Sequence, residues 1–169
     1  MNIDKESLLR QLREQAEHSL LGALLIMSEP PVIREVSGLV VPKDFHDCLR
    51  PTPHNQHYRI FNAMQALAAE RNPVNQITVG RKLYETIDQS HGGDKCNCDV
   101  SDIAEMSTMV GECPCSVDYM EYARTVQQFS LQRAIDYYTA NGQQDKLAAL
   151  LARRLPQGKT ATLPILRRN

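Results

Sequence analysis

From Asp4 to about Met27 apolar residues return every three or four positions, at Leu8, Leu12, Ala16, Leu20, Ala23, Leu24 and Met27. That spacing lays them on one stripe of an amphipathic helix, with Asp4 or Ser7 placed to cap its start and Arg13 as a point where it could break. Pro30 and Pro31 punctuate the chain, and Pro31 opens a short helix through Val32, Ile33 and Val36 to Gly38. Val40 to Phe45 reads as a turn, and Pro51 and Pro53 keep the next residues irregular. A helical stripe resumes from His54 to Arg71 with Tyr58, Ile60, Phe61, Met64 and Leu67, and stops ahead of Asn72-Pro73. Thr78 is placed to cap a further helix through Val79, Leu83 and Ile87, and Asp102 to Met109 forms another short one.

The longest periodic run comes late. Val117, Met120, Ala123, Val126, Leu131, Ala134, Ile135 and Tyr138 share one face until Asn141-Gly142 stops the helix, and Leu147, Leu150 and Leu151 mark its successor. Two helices joined by so short a stop form an antiparallel hairpin. No stretch alternates with period two, so the expectation is an all-α protein. It has a compact helical head over residues 1–116, a helical hairpin over 117–152 and a tail over 153–169.

Composition alters this picture little. The 169 residues suit one domain with its own core, and 42% hydrophobic and 23% charged residues are ordinary globular values. A net charge of -1 supplies no field that would draw the whole molecule onto a phosphate backbone, so direct DNA binding is expected to be weak or absent. Charge is nonetheless uneven, because Arg153, Arg154, Lys159, Arg167 and Arg168 make the tail basic with no acidic residue among them. No apolar run reaches the ~20 residues of a bilayer span, and the start lacks the order of a secretory signal, so a cytoplasmic location is expected. Five cysteines in such a chain point to reduced thiols or a metal rather than to disulfides.

The candidate chemistry is sparse. Gly158-Lys159-Thr160 ends like a phosphate-binding loop, but Arg153 stands where that loop needs its first glycine, and no strand precedes it. Two pairs, Cys96 with Cys98 and Cys113 with Cys115, could present four thiolates to a structural zinc; no other cofactor is expected. His91 and Cys48 are substitutes in that ligand set. His46, His54 and His57 lie near Asp44 and Asp47, yet they lack the paired spacing of helix-borne zinc sites and read as capping or solvated groups. No nucleophile elbow, dinucleotide loop or coupled carboxylate motif is present, so no enzyme is expected. The absence of tryptophan removes the stacking platforms of a single-strand binder.

Several blocks, in order, carry a resemblance. Glu14 to Ile26 reads Glu-Gln-Ala-Glu-His-Ser-Leu-Leu-Gly-Ala-Leu-Leu-Ile, followed by Pro42-Lys43-Asp44-Phe45 and by His57 to Met64. Asn72-Pro73-Val74-Asn75 with Ile77-Thr78-Val79 comes next, then Gly92-Gly93 and Tyr122-Ala123-Arg124-Thr125-Val126. Together they resemble the amino-terminal, non-catalytic domain of DnaB-type bacterial replicative helicases over about residues 14–140. The resemblance implies a DNA-replication module that pairs with a second copy and receives primase, a replicative helicase or a loader. It places the self-association and docking surface on the hairpin, at Met120, Phe129, Leu131, Ile135, Leu147 and Leu150, as exposed apolar residues. Asn75 departs from the family's Asp, and the cysteine-bearing segment departs from the family's pattern after Gly92-Gly93. A different reading is a zinc-stabilised nucleic-acid-binding accessory protein built on the cysteine pairs and the basic tail. A third, the helicase-binding domain of a primase, is disfavoured by the motif order.

Overall fold

The first periodic stretch forms α1, Lys5–Met27, and it runs through Arg13 without the anticipated break. Leu12-Arg13-Glu14-Gln15 contains only good helix formers, so nothing interrupts the backbone ladder there. The computed structural model describes residues 5–45, 56–90 and 100–154, and among these the chain is helical without a strand. The chain divides into two units, Met1–Ser130 and Leu131–Asn169.

In the first unit, Ser28 ends α1 in the left-handed region at φ 55, and its hydroxyl donates to the Leu25 carbonyl at 2.9 Å. Prolines at the first helical positions then open α2, Pro30–Ser37, which buries Val32, Ile33 and Val36. Pro42–Asp44 makes a single 3₁₀ turn. Here the Asp44 carboxylate accepts the Val41 N–H at 2.9 Å and the Ser130 hydroxyl at 2.7 Å, and the residue is almost fully buried. Phe45 follows directly and packs against Phe61 with ring centroids 5.0 Å apart. Asp44 thus braces the turn that sets Phe45 into the core.

The helix carrying Phe61 is α3, Gln56–Ala69. It ends in a left-handed Arg71 (φ 59), with Arg71 N–H bonded to the Ala68 carbonyl and Asn72 N–H to the Leu67 carbonyl. Those two bonds are a Schellman stop, which satisfies carbonyls that the helix end would otherwise orphan. Next comes α4, Gln76–Ser90, and its cap is not the expected Thr78. Asn75 Oδ1 accepts the backbone N–H groups of Ile77 and Thr78 at 3.0 Å each, while Thr78 Oγ1 accepts the Asn75 N–H at 3.0 Å. Asn75 is the N-cap and Thr78 its reciprocal partner three residues on, a capping box.

The helix α5, Val100–Glu112, is longer than expected at both ends and buries Met106 and Met109. It packs on α1 at Gly22, where any Cβ would overlap the Met109 carbonyl, 2.7 Å from its carbon. Gly22 therefore lets two helix backbones touch, as its position in the sequence suggested. Asp102, also buried, holds α5 to α3 through Arg59 Nη2 at 2.9 Å and Gln56 Nε2 at 2.7 Å. The core formed by these helices is closed and apolar, with Leu20, Leu21, Leu24, Ile33, Ile60, Phe61 and Met64 all fully buried.

After a 3₁₀ turn at Ser116–Asp118 comes α6, Tyr119–Ala140, and its first half belongs to this unit. Ala123 and Val126 are buried, and Gln127 Nε2 donates to the Leu39 carbonyl at 3.0 Å. The second unit holds the end of α6 and the helix α7, Gln144–Arg154. Between the two helices Gly142 takes φ 66, with Gly142 N–H on Thr139 and Gln143 N–H on Tyr138. This is a second Schellman stop, here with the glycine that its left-handed position favours.

Candidate interaction surface

The six residues assigned to a docking surface fall in both units. Met120 and Phe129 lie on the first half of α6, are half-buried, and pack against the head core. They are not the exposed apolar residues expected, because the helix face that carries Ala123 and Val126 inward takes them partly with it. Leu131, Ile135, Leu147 and Leu150 lie in the second unit and are half-buried, with Ala134, Tyr138 and Leu151 in the same state. Tyr137 is 44% exposed and meets Tyr138 edge to face, ring centroids 5.5 Å apart. Among the described residues of this unit, none is fully buried.

The head carries a further set of exposed apolar residues that periodicity did not single out: Ile77 and Tyr84 on α4, and Ile103 on α5. Their stripe positions look unremarkable in the sequence because exposure at one face of a helix is decided by which neighbours arrive. Leu8, Leu9 and Leu12 on the first turns of α1 are also exposed.

Of the four paired cysteines, Cys96 and Cys98 lie outside the described residues, as do Cys48, His46, His54 and His91. Cys113 and Cys115 are half-buried free thiols. The Cys113 sulfur lies 3.6 Å from the Ser19 carbonyl oxygen of α1, and burial pushes its thiol above the ordinary range. It therefore sits against the α1 backbone in a setting that disfavours the thiolate. Arg153 and Arg154 close α7, and the rest of the basic tail, with Gly158-Lys159-Thr160, is outside the described residues. Among the described residues no helix is long and apolar enough to cross a membrane.

His57 does not meet Asp44. It points instead to His18 of α1, ring centroids 4.9 Å apart, and both imidazoles face Glu105 of α5. Sequence spacing hides this group because its members come from three helices far apart in the chain, and only packing joins them. Glu17, fully buried, bonds His57 from α1 at 2.6 Å.

Comparison with known proteins agrees with the helical head. The sequence model of the DnaB-like helicase N-terminal domain matches residues 10–128. The chain is 26% identical over 122 residues to the replicative DNA helicase DnaC of Bacillus subtilis, and 28% identical over 123 residues to the replicative DNA helicase DnaB of Geobacillus stearothermophilus. Each match takes in 72% of this chain and 23% of the relative, so the chain spans about a quarter of their length. In structure it is similar to the N-terminal domain of DnaB helicase from Mycobacterium tuberculosis, with a TM-score of 0.58 and 22% identity. That superposition covers 81% of this chain and 86% of the other, which establishes a shared fold.

Proposed function

This chain belongs to the family of DnaB-like helicase N-terminal domains, and from that membership we propose that it is a non-catalytic replication module that pairs with itself and docks a replication protein. The family is named for the N-terminal domain of the helicase, and the match covers residues 10–128. The partner chemistry implied by the family resemblance is a primase, a replicative helicase or its loader.

The observation that carries this reading is the uncovered apolar row of the second unit. Leu131, Ile135, Leu147 and Leu150 each keep part of their surface in water, and no described residue there reaches full burial. A helix pair in that state has apolar surface still to remove from solvent, at about 25 cal/mol per Å², and a second copy or a partner helix supplies the missing cover. Tyr137 adds an aromatic ring of the kind that anchors interfaces. Met120 and Phe129, in the first unit, are already partly engaged with the head core. The chain's near-zero net charge supports protein contact rather than phosphate contact as the mode of action.

The test is light scattering with size separation, run on the full chain alone and then titrated with the cognate primase and helicase. The unmodified protein is expected to self-associate and to bind at least one of them. The double substitution Leu131→Asp with Leu147→Asp is expected to weaken association at least tenfold while leaving the helical spectrum of the head intact. A strict monomer that ignores both partners would overturn the proposal.

A further inference from the structure

The docking function makes no use of the group formed by His18, His57 and Glu105. One ligand atom from each of the three lies within 4.8 Å of the others. The two imidazoles are each held from behind by a carboxylate: His57 Nδ1 by Glu17 Oε2 at 2.6 Å, and His18 Nδ1 by Glu112 Oε2 at 3.4 Å. A carboxylate accepts, so these contacts draw the ring hydrogens onto Nδ1. In that tautomer both Nε2 atoms carry lone pairs, and both lie near the same oxygen, Glu105 Oε1, at 2.8 Å from His18 and 3.9 Å from His57. His18 Nε2 is buried and makes no hydrogen bond, although Glu105 Oε1 stands near it. Two lone pairs and a carboxylate oxygen gathered this closely repel one another unless a proton or a metal cation stands between them.

We propose that His18 Nε2, His57 Nε2 and Glu105 Oε1 bind one divalent cation of the zinc class, with water completing the coordination. Two imidazoles and one carboxylate are a donor set that zinc accepts readily. With bonds of about 2.0 to 2.1 Å, tetrahedral ligand atoms stand about 3.3 Å apart, and the observed 2.8 and 3.9 Å bracket that spacing. Small side-chain adjustments close the site. Glu17 and Glu112 behind the rings form the carboxylate–histidine–metal arrangement that orients an imidazole and raises its basicity as a ligand. His18, His57 and Glu105 stand on α1, α3 and α5, so the ion would pin three helices at one point. The proposed ligand set uses no thiol.

Cobalt(II) titration of the full chain, followed by optical absorption, tests the proposal. One cobalt per chain is expected, with the visible bands of a four-coordinate nitrogen and oxygen site and no thiolate-to-cobalt charge transfer, and zinc should displace it. Zinc at a hundredfold excess over its Kd should raise the melting temperature by about 5 °C or more. His18→Gln and Glu105→Gln, both at positions that keep some exposure, should each weaken binding at least tenfold and abolish the zinc-dependent rise in melting temperature. Absence of the visible bands at hundredfold excess cobalt, bands that persist in both variants, or a spectrum dominated by thiolate charge transfer would each overturn it. If a variant fails to fold, the melting response of the unmodified chain decides the matter, since no shift with zinc defeats the site.

Discussion

The head and the second unit are built from the same kind of amphipathic helix, yet they differ in how far burial proceeds. In the head, α1, α3 and α5 place Leu20, Leu24, Phe61, Met64 and Met106 wholly out of water. In the second unit the leucines of α6 and α7 stop halfway. Helical periodicity alone does not distinguish the two, since both stripes repeat every three or four residues. What separates them is the number of helices that converge. Several faces meet over the head, whereas in the second unit the end of α6 and α7 are the only described elements. A stripe needs neighbours on more than one side before it becomes a core.

The sharpest way to break the contrast is to truncate a large side chain in each region. Phe61→Ala removes a fully buried ring that packs on Phe45, and should cost the head about 4 kcal/mol, which lowers its melting temperature by roughly 8 to 16 °C in calorimetry. An unchanged melting point would mean that the head is not the cooperative unit. An intermediate effect is expected at the α4 cap. Asn75→Ala should cost about 1 kcal/mol in denaturant unfolding, whereas Asn75→Asp, which keeps an acceptor oxygen in the same place, should stay within a few tenths. Equal losses for the two would show that the side-chain oxygen is not what holds the helix start. The smallest effect should come from Leu147→Ala, under about 1 kcal/mol when melting is followed in dilute protein where association is reversed. A loss as large as that of Phe61→Ala would place a closed core in the second unit after all.

The helices were legible because their signals are local. Apolar spacing, Pro30-Pro31, the residues before Pro73 and the stop at Asn141-Gly142 all act within one or two turns, and each marks an element that exists. Local signals also misled where two polar residues competed for one role. Thr78 and Asn75 both suit an N-cap, and the structure resolves the choice by giving each a bond to the other's backbone. The same geometry would accept an Asp at position 75, since either side chain offers the oxygen that the cap requires.

Side chains that act across the fold were not legible. Asp44 sits beside histidines in the sequence and suggests acid-base chemistry, whereas the role the described residues give it is structural, since its carboxylate accepts from Val41 and Ser130 and braces the turn. His57 stands with His46 and His54 in the sequence, while its ring partner is His18 on α1. Met120 and Phe129, two of the proposed interface residues, are also less exposed than their spacing suggests, because which face of the first half of α6 packs inward cannot be read from the period of its apolar residues. Periodicity reports a stripe, and only the packing partners report how much of it is left uncovered.

Gly22 bears on the motions of the head as well as on its packing. Where backbone meets backbone at the α1–α5 contact, no side chain can swing aside to admit solvent. Amide hydrogens beside Gly22, on Leu21 and Ala23, are therefore expected to exchange with solvent through opening of the whole head rather than through local breathing.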